Sequence, residues 1–328
     1  MLHLHRRGLL GLTASALAGA APTGALAALG SEGLVKAAVA RFAELPAQAS
    51  CLVVTEHPTA PWQVSHHPAA RLFVGSAVKT FILAQFLREM EAGRLSEDQQ
   101  MPINDAVRSL ISPVFLNLSG TTQARAVLEA MIAHSDNTAT DAVLAAVGAT
   151  QVRALIREAG LQATHIPDST RRLISYLAGA PEGVDLGWEG MQRLENSNLA
   201  GIGRPALNDH ETMASTAEDM VLWYRRALRG EFFKAPATLV EFKRIQAMAD
   251  AGPYVVPADT VAYAKGGSID WEDFHCLCLS GQMIVGTVPV TFCFTINWSG
   301  PNDGVPAIFQ SSKSAVADVL REAARAAA

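Results

Sequence analysis

Two serines and two lysines carry the chemistry this chain could perform. They stand in three short strings: Ser76-Ala77-Val78-Lys79, then Ser135-Asp136-Asn137, then Lys265-Gly266-Gly267-Ser268. A serine hydroxyl becomes a useful nucleophile only when a nearby base takes its proton. A lysine that is desolvated and set beside another cation is neutral enough to act as that base. Acyl transfer through an acyl-serine is therefore the reaction these residue types could run. Each string alone also has a plain structural reading. The first could be a solvent-facing Ser and Lys on a helix, the second a helix cap and the third a Gly-Gly turn beside a surface lysine.

The flanking residues say which elements must hold these groups. Gly75 precedes Ser76, and a nearly unbroken apolar stretch follows through Phe81-Ile82-Leu83-Ala84 and Phe86-Leu87 to Gly93. A helix apolar on all sides is a buried one, and Gly93 is suited to end it. Ser76 is thus predicted at the start of a buried helix, with Lys79 one turn later on the same face. A helix N-terminus also favours negative charge developing near Ser76. Ser135-Asp136-Asn137 separates two helical patterns: Ala126-Val127-Leu128 with Met131-Ile132 before it, and Ala142-Val143-Leu144 with Val147 after it, ending at Gly148. Lys265 follows a β-type segment, Thr260 to Ala264, and two more β-type runs come next, Phe274 to Ile284 and Pro289 to Trp298. Glycines on an edge strand let a substrate backbone approach and pair with it.

The order S-x-x-K, S-D-N, K-[TS]-G resembles the signature of the penicillin-recognising serine enzymes, and the chain is similar to the class A β-lactamases. The resemblance implies an α/β (α+β) fold of the β-lactamase/transpeptidase type: an antiparallel five-stranded sheet flanked by helices, with an inserted all-α domain. It implies Ser76 as nucleophile, Lys79 as its base and Ser135 as proton shuttle to the leaving group. Asn137 would bond Lys79 and a substrate amide. The backbone N–H groups of Ser76 and Ser268, beside Gly267, would form the oxyanion hole, and Lys265 would supply positive potential near the serine and a substrate carboxylate. The interval from Ser76 to Ser135 is typical of that class, whereas Gly266 stands where the family usually has Thr or Ser. The expected function is hydrolysis of a small-molecule β-lactam amide with no cofactor and no metal. The alternatives are an esterase or D,D-peptidase on the same scaffold, or a β-lactam-binding protein that deacylates slowly.

Two departures bear on turnover and substrate. The class A string E-x-x-L-N supplies the glutamate that activates the deacylating water. Counted on from Gly160 without gaps, its place here reads Thr170-Arg171-Arg172-Leu173-Ile174. Neither Thr nor Ile acts as a base near neutral pH. Glu195, in the Gly-, Pro- and Asn-rich stretch Gly179 to Asn208 expected to be a remodelled loop, and Asp168 are the candidate replacements. True absence of the base is the third alternative. For the substrate carboxylate, no Arg or Lys lies between Lys265 and Lys313, leaving His275, Arg171 and Arg172 as candidate anchors. A less anionic ester or neutral amide is therefore allowed as substrate.

The rest of the chain frames these residues. Its 328 residues divide as an export signal over 1–27, a sheet domain from 28–75 and 231–328, and a helical domain over 76–230. Arg6-Arg7, a small apolar run and Ala25-Leu26-Ala27 suggest a twin-arginine signal, hence a periplasmic or secreted protein without stable membrane insertion after processing. A formal net charge of −5 without a basic patch does not suit a nucleic-acid partner. A helix over Glu32 to Ala47, strands Cys51 to Glu56 and Trp62 to His66, a helix capped by Ser215 and Glu218, and a closing helix from Ile308 to Ala327 complete the expectation. Cys51, Cys276, Cys278 and Cys293 all fall in predicted strands, Cys276 and Cys278 on one face, as small core residues. A disulfide between them stays open, and their spacing does not suit zinc.

Overall fold

The computed structural model describes residues 30–196 and 203–328. The expected signal segment lies outside the described residues. Five strands form one antiparallel sheet in the order β2-β1-β9-β8-β7: β1 Gln48–Thr55, β2 Trp62–His66, β7 Val261–Trp271, β8 Phe274–Val285 and β9 Val288–Ser299. The central strand β9 reads as a nearly continuous buried run because helices cover both faces of the sheet. Phe292, Phe294 and Ile296 point to the outer face, where α1 (Ser31–Ala43) and the terminal helix, α10 (Val305–Ala327), pack together. Val35, Ala38, Val39 and Phe42 recur at helical spacing and bury α1 there. The opposite face carries Leu52, Val54, Cys276, Cys278 and Cys293, which join the core of the helical part.

That core is built around α2 (Lys79–Glu91), buried continuously from Lys79 to Leu87 as its sequence demands. It ends just before Gly93, whose φ of +69° is the left-handed turn a glycine stop supplies. Around α2 stand α3 (Ala124–Ala133), α4 (Asn137–Val147), α5 (Ala149–Glu158), α6 (Thr170–Leu177), α7 (Gly187–Asn196), α8 (Ala217–Leu228) and α9 (Pro236–Gln246). Two small ladders interrupt the helices, β4 (Gln100–Ile103) with β5 (Gly120–Gln123), and β3 (Leu72–Phe73) with β6 (Ala214–Ser215). The middle of the chain is therefore not purely helical.

Three other expectations shift. Ser76 lies in a 3₁₀ turn, Gly75–Val78, and the α-helix proper begins at Lys79. Thr216 caps α8 by accepting the Asp219 N–H, so the cap is one residue beyond the Ser215–Glu218 box. The stretch from Gly179 to Asn208 contains α7 rather than only loop. Helix α9 follows the expected boundary at 230/231 and packs on α2, α3 and the edge strand β7. Among the described residues no single helix is long and apolar enough to cross a membrane.

Candidate active site

Asn297 on β9 sets the approach to Ser76. Its amide oxygen accepts the Phe73 N–H at 2.9 Å and its amide nitrogen donates to the Phe73 carbonyl at 2.9 Å, so the side chain continues the backbone pairing pattern. Val74 N–H then donates to Met213 O at 2.8 Å. Gly75 turns the chain at φ +52°, and a Cβ there would stand 2.9 Å from Ser268 N. Lys79 N–H donates to Ser76 O and closes the turn that places serine and lysine one above the other. Ser76 is half-buried, and its hydroxyl makes no hydrogen bond to the described residues. Behind it, Thr80 receives Trp223 Nε1 at 2.9 Å and Gln246 Nε2 at 2.7 Å, fastening the start of α2 to α8 and α9.

Edge strand β7 closes against this turn. A Cβ on Gly267 would lie 2.0 Å from Val74 O, 2.7 Å from Ala77 N and 2.8 Å from Ser76 N. Only a residue without a side chain allows that approach, which brings the backbone of Ser268 beside the N-terminus of the 3₁₀ turn. Gly267→Ala should therefore separate strand from turn. The expected loss is about 1–3 kcal/mol of stability from overpacking, read by thermal melting, together with loss of acylation. Unchanged melting and acylation would show that the contact is dispensable.

The S-D-N turn joins both readings of its sequence. Asp136 is the cap of α4: one carboxylate oxygen accepts the Ala139 N–H at 2.7 Å. The other accepts Val114 N–H at 2.8 Å and Phe115 N–H at 2.9 Å, tying down the preceding loop. Ser135 is held at φ +56°, in the left-handed region uncommon for a residue with a side chain. Its hydroxyl lies between the two lysines, 3.3 Å from Lys79 Nζ and 3.1 Å from Lys265 Nζ. Lys79 Nζ also donates to Ser135 O at 2.6 Å and Asn137 Oδ1 at 2.8 Å, and the Asn137 amide is oriented by Leu110 O at 3.0 Å.

Both lysines are fully buried. Burial, then the neighbouring Lys265 cation, hold Lys79 well below the usual lysine range against the opposing pull of Asp136, Asp141 and Asp250. Burial brings Lys265 down to about 8, with Asp250 the main group opposing it. A neutral Lys79 has two hydrogens, which the Ser135 carbonyl and the Asn137 amide oxygen can accept. Its lone pair is then available for a hydroxyl proton. The arrangement can move a proton from one hydroxyl to another beside a retained cation.

The structure places the remaining candidates elsewhere. Thr170 is buried, donates from Oγ1 to Ser109 Oγ at 3.0 Å, and gives its N–H to Asp141 Oδ1 at 2.6 Å. The other Asp141 oxygen accepts the Arg171 N–H at 3.1 Å, and burial raises this carboxyl to about 6. Asp168 is committed to Arg153 at 2.7 Å and to Arg172. Glu195 is exposed near the end of α7. The expected carboxylate anchors are also spent. Arg171 holds Asp185 with two nitrogens and caps the carbonyls of Asp105, Ala106 and Arg108. Arg172 pairs with Asp168 and Glu211. His275 is buried on the outer side of β8, between Asp270 at 2.9 Å and Gly300 O at 2.8 Å. The four cysteines are buried and unbridged. Among the described residues no three His, Cys, Asp or Glu side chains converge as a metal site.

Sequence reasoning missed Asn297, Asp141 and Ala251. Asn297 carried no signal beyond being polar within an apolar strand. Ala251 matters because a Cβ at Gly266 would stand 2.6 Å from its own Cβ. The glycine in place of the family's Thr or Ser is thus explained by the close passage of the segment after α9.

Solved structures share this fold. A β-lactamase from Chitinophaga pinensis is 16% identical, with a TM-score of 0.69 over 90% of this chain and 99% of that one. The chromosome-encoded β-lactamase of Vibrio parahaemolyticus is 17% identical, with a TM-score of 0.67 over 88% and 98%. PBP-A is 14% identical, with a TM-score of 0.67 over 88% and 94%. No curated protein sequence matches the chain. Residues 35–248 match the β-lactamase enzyme family, about two thirds of the sequence and the part that holds Ser76, Lys79 and the S-D-N turn. The chain belongs to the β-lactamase enzyme family and is a serine hydrolase of that type.

Proposed function

We propose that this class A-like hydrolase opens a β-lactam amide through an acyl intermediate on Ser76. The observation that carries the reading is the Ser135 hydroxyl suspended between a buried Lys79 and a buried Lys265. Neutral Lys79 takes the Ser76 proton as Oγ adds to the carbonyl carbon. The N–H groups of Ser76 and Ser268 receive the oxyanion. As the C–N bond breaks, the proton passes from Lys79 through Ser135 to the departing nitrogen, and Lys265 keeps the charge that stabilises the developing anion. The place counted for the deacylating glutamate then offers the acyl group a threonine, Thr170, in place of a carboxylate base. Asp168 is held by two arginines, and Glu195 is exposed on α7. Release is consequently slow.

The first 27 residues support export to the periplasm or beyond, as an expectation of the sequence alone. A second reading, an esterase on the same scaffold, is favoured by one observation: the arginines and histidine available to hold a substrate carboxylate are engaged elsewhere. Incubation with a penicillin or a fluorophosphonate should add mass to the peptide containing Ser76. Modification of Ser135 alone, or no adduct with any acyl donor, would remove the acyl-serine reading. Parallel assays with a chromogenic cephalosporin, a p-nitrophenyl ester and a D-Ala-D-Ala peptide rank the three donor classes.

A further inference from the structure

Asp250 and Lys313 are charged residues that line the cavity beside Ser135 and Lys265 and that the mechanism does not use. The chain leaves α9 at Gln246 and turns so that Asp250 N–H donates to Ala133 O at 3.3 Å, two residues before Ser135. The next residue, Ala251, fills the space beside Gly266. The exchange of a family hydroxyl for glycine and the arrival of a carboxylate are therefore one structural event. Asp250 is exposed and shares with Ser135, Lys265 and Ser268 a cavity of about 320 Å³. Tyr254, 60% exposed, lines the same cavity. The remaining cation there, Lys313 of α10, sits over the Tyr254 ring at 5.1 Å.

We propose that Asp250 selects acyl donors carrying a cationic group, an ammonium or guanidinium, on the leaving-group side, in place of the carboxylate of an ordinary β-lactam. The proposal rests on the reading of Ser76 as the acyl acceptor. Ser135 and Lys265 mark the leaving-group side, since they deliver the proton and stabilise the departing charge. On that side an anionic donor meets Lys265 together with a facing carboxylate. The Gly266 position offers no hydroxyl, and the candidate arginines are bound elsewhere. A cationic donor meets the exposed Asp250 carboxylate, whose charge complements its own; the Tyr254 ring is already faced by Lys313. The Asp250 carboxylate also stands close enough to act on both lysines. It therefore offsets part of the positive potential that would otherwise draw in a carboxylate.

Three esters that differ only in the leaving phenol test this: phenyl acetate, 3-(trimethylammonio)phenyl acetate and 3-carboxyphenyl acetate, each rate normalised to its hydroxide hydrolysis. The full chain should favour the cationic over the anionic ester at least tenfold in kcat/KM, and added salt should shrink the ratio. Asp250→Asn and Asp250→Ser should each bring it below about threefold, and Asp250→Lys should invert it. Equal rates, a preference for the carboxylate ester, or a ratio that survives both neutral variants would overturn the proposal. Fluorophosphonate labelling of Ser76 is followed in the same samples. Labelled Ser76 without a charge preference removes only the role of Asp250, whereas absence of both label and ester cleavage removes the acyl-serine reading beneath it.

Discussion

Replacing Lys79 by alanine should abolish acylation of Ser76 while leaving the fold in place. A positioned general base typically contributes 10²–10⁴-fold, and Lys79 is the amine one turn from Ser76 whose other contacts are already satisfied by Ser135 O and Asn137 Oδ1. The pH profile carries the sign of the assignment. Lys79 must be neutral to accept the proton, so acylation rises as it deprotonates. Lys265 must stay charged to hold the developing anion, so acylation falls as pH passes about 8. Lys265→Ala should behave differently from Lys79→Ala. It should cost about 2–4 kcal/mol in transition-state stabilisation, the scale of one lost charged contact. It should also move the acid limb upward, because after burial the Lys265 cation is the strongest influence lowering Lys79. Stopped-flow acylation and thermal melting of both variants separate these effects. Wild-type acylation by a folded Lys79→Ala protein would show that another group is the base.

Mixing the enzyme with a chromogenic β-lactam should give a burst near one equivalent followed by a slow steady state. Counted from Gly160 without gaps, the expected place of the deacylating glutamate falls on Thr170, which is buried and hydrogen-bonded to Ser109, with its backbone fixed by Asp141. Acylation survives because Lys79 serves that step, whereas hydrolysis of the acyl group lacks the same 10²–10⁴-fold contribution. Accumulation of the intermediate is the kinetic mark of such an imbalance. The variants Asp168→Asn and Glu195→Gln should burst like the parent protein, since the first residue is bound to two arginines and the second is exposed on α7. Fast turnover without a burst would mean that a base is in place. Conversion of that fast enzyme into a bursting one by either variant would identify it.

The helix after Ser76 was readable because burial on all sides leaves no polar stripe, and Phe81 to Leu87 has none. The strands β8 and β9 were readable as apolar runs ended by turns, and their observed spans, Phe274–Val285 and Val288–Ser299, differ from the expected ones by a residue or two. The S-D-N turn was legible as both a cap and a functional string, and Asp136 and its neighbours divide those roles between them. Helix α7 was hidden within a Gly- and Asn-rich stretch whose composition suits a loop. The cap of α8 moved by one residue because Ser215 is taken up by β6 and pairs with Leu72.

What the sequence determined by itself was the set of reactive groups, their order and the kind of element beneath each, because local pattern is enough to specify a buried helix, a cap or a strand. What only the tertiary structure decided was which groups meet. Ser135 reaches both lysines across separations of 56 and 130 residues. Arg171, Arg172 and His275 are withdrawn from the site by Asp185, Asp168, Glu211 and Asp270, partners that no local spacing relates to a substrate. Gly266 departs from the family motif where Ala251 packs against it, and the same turn carries Asp250 into the cavity. The physical reason is that short-range preference fixes how each segment is shaped, whereas charge and hydrogen bonding act through space, between residues whose distance along the chain says nothing of their distance in the fold.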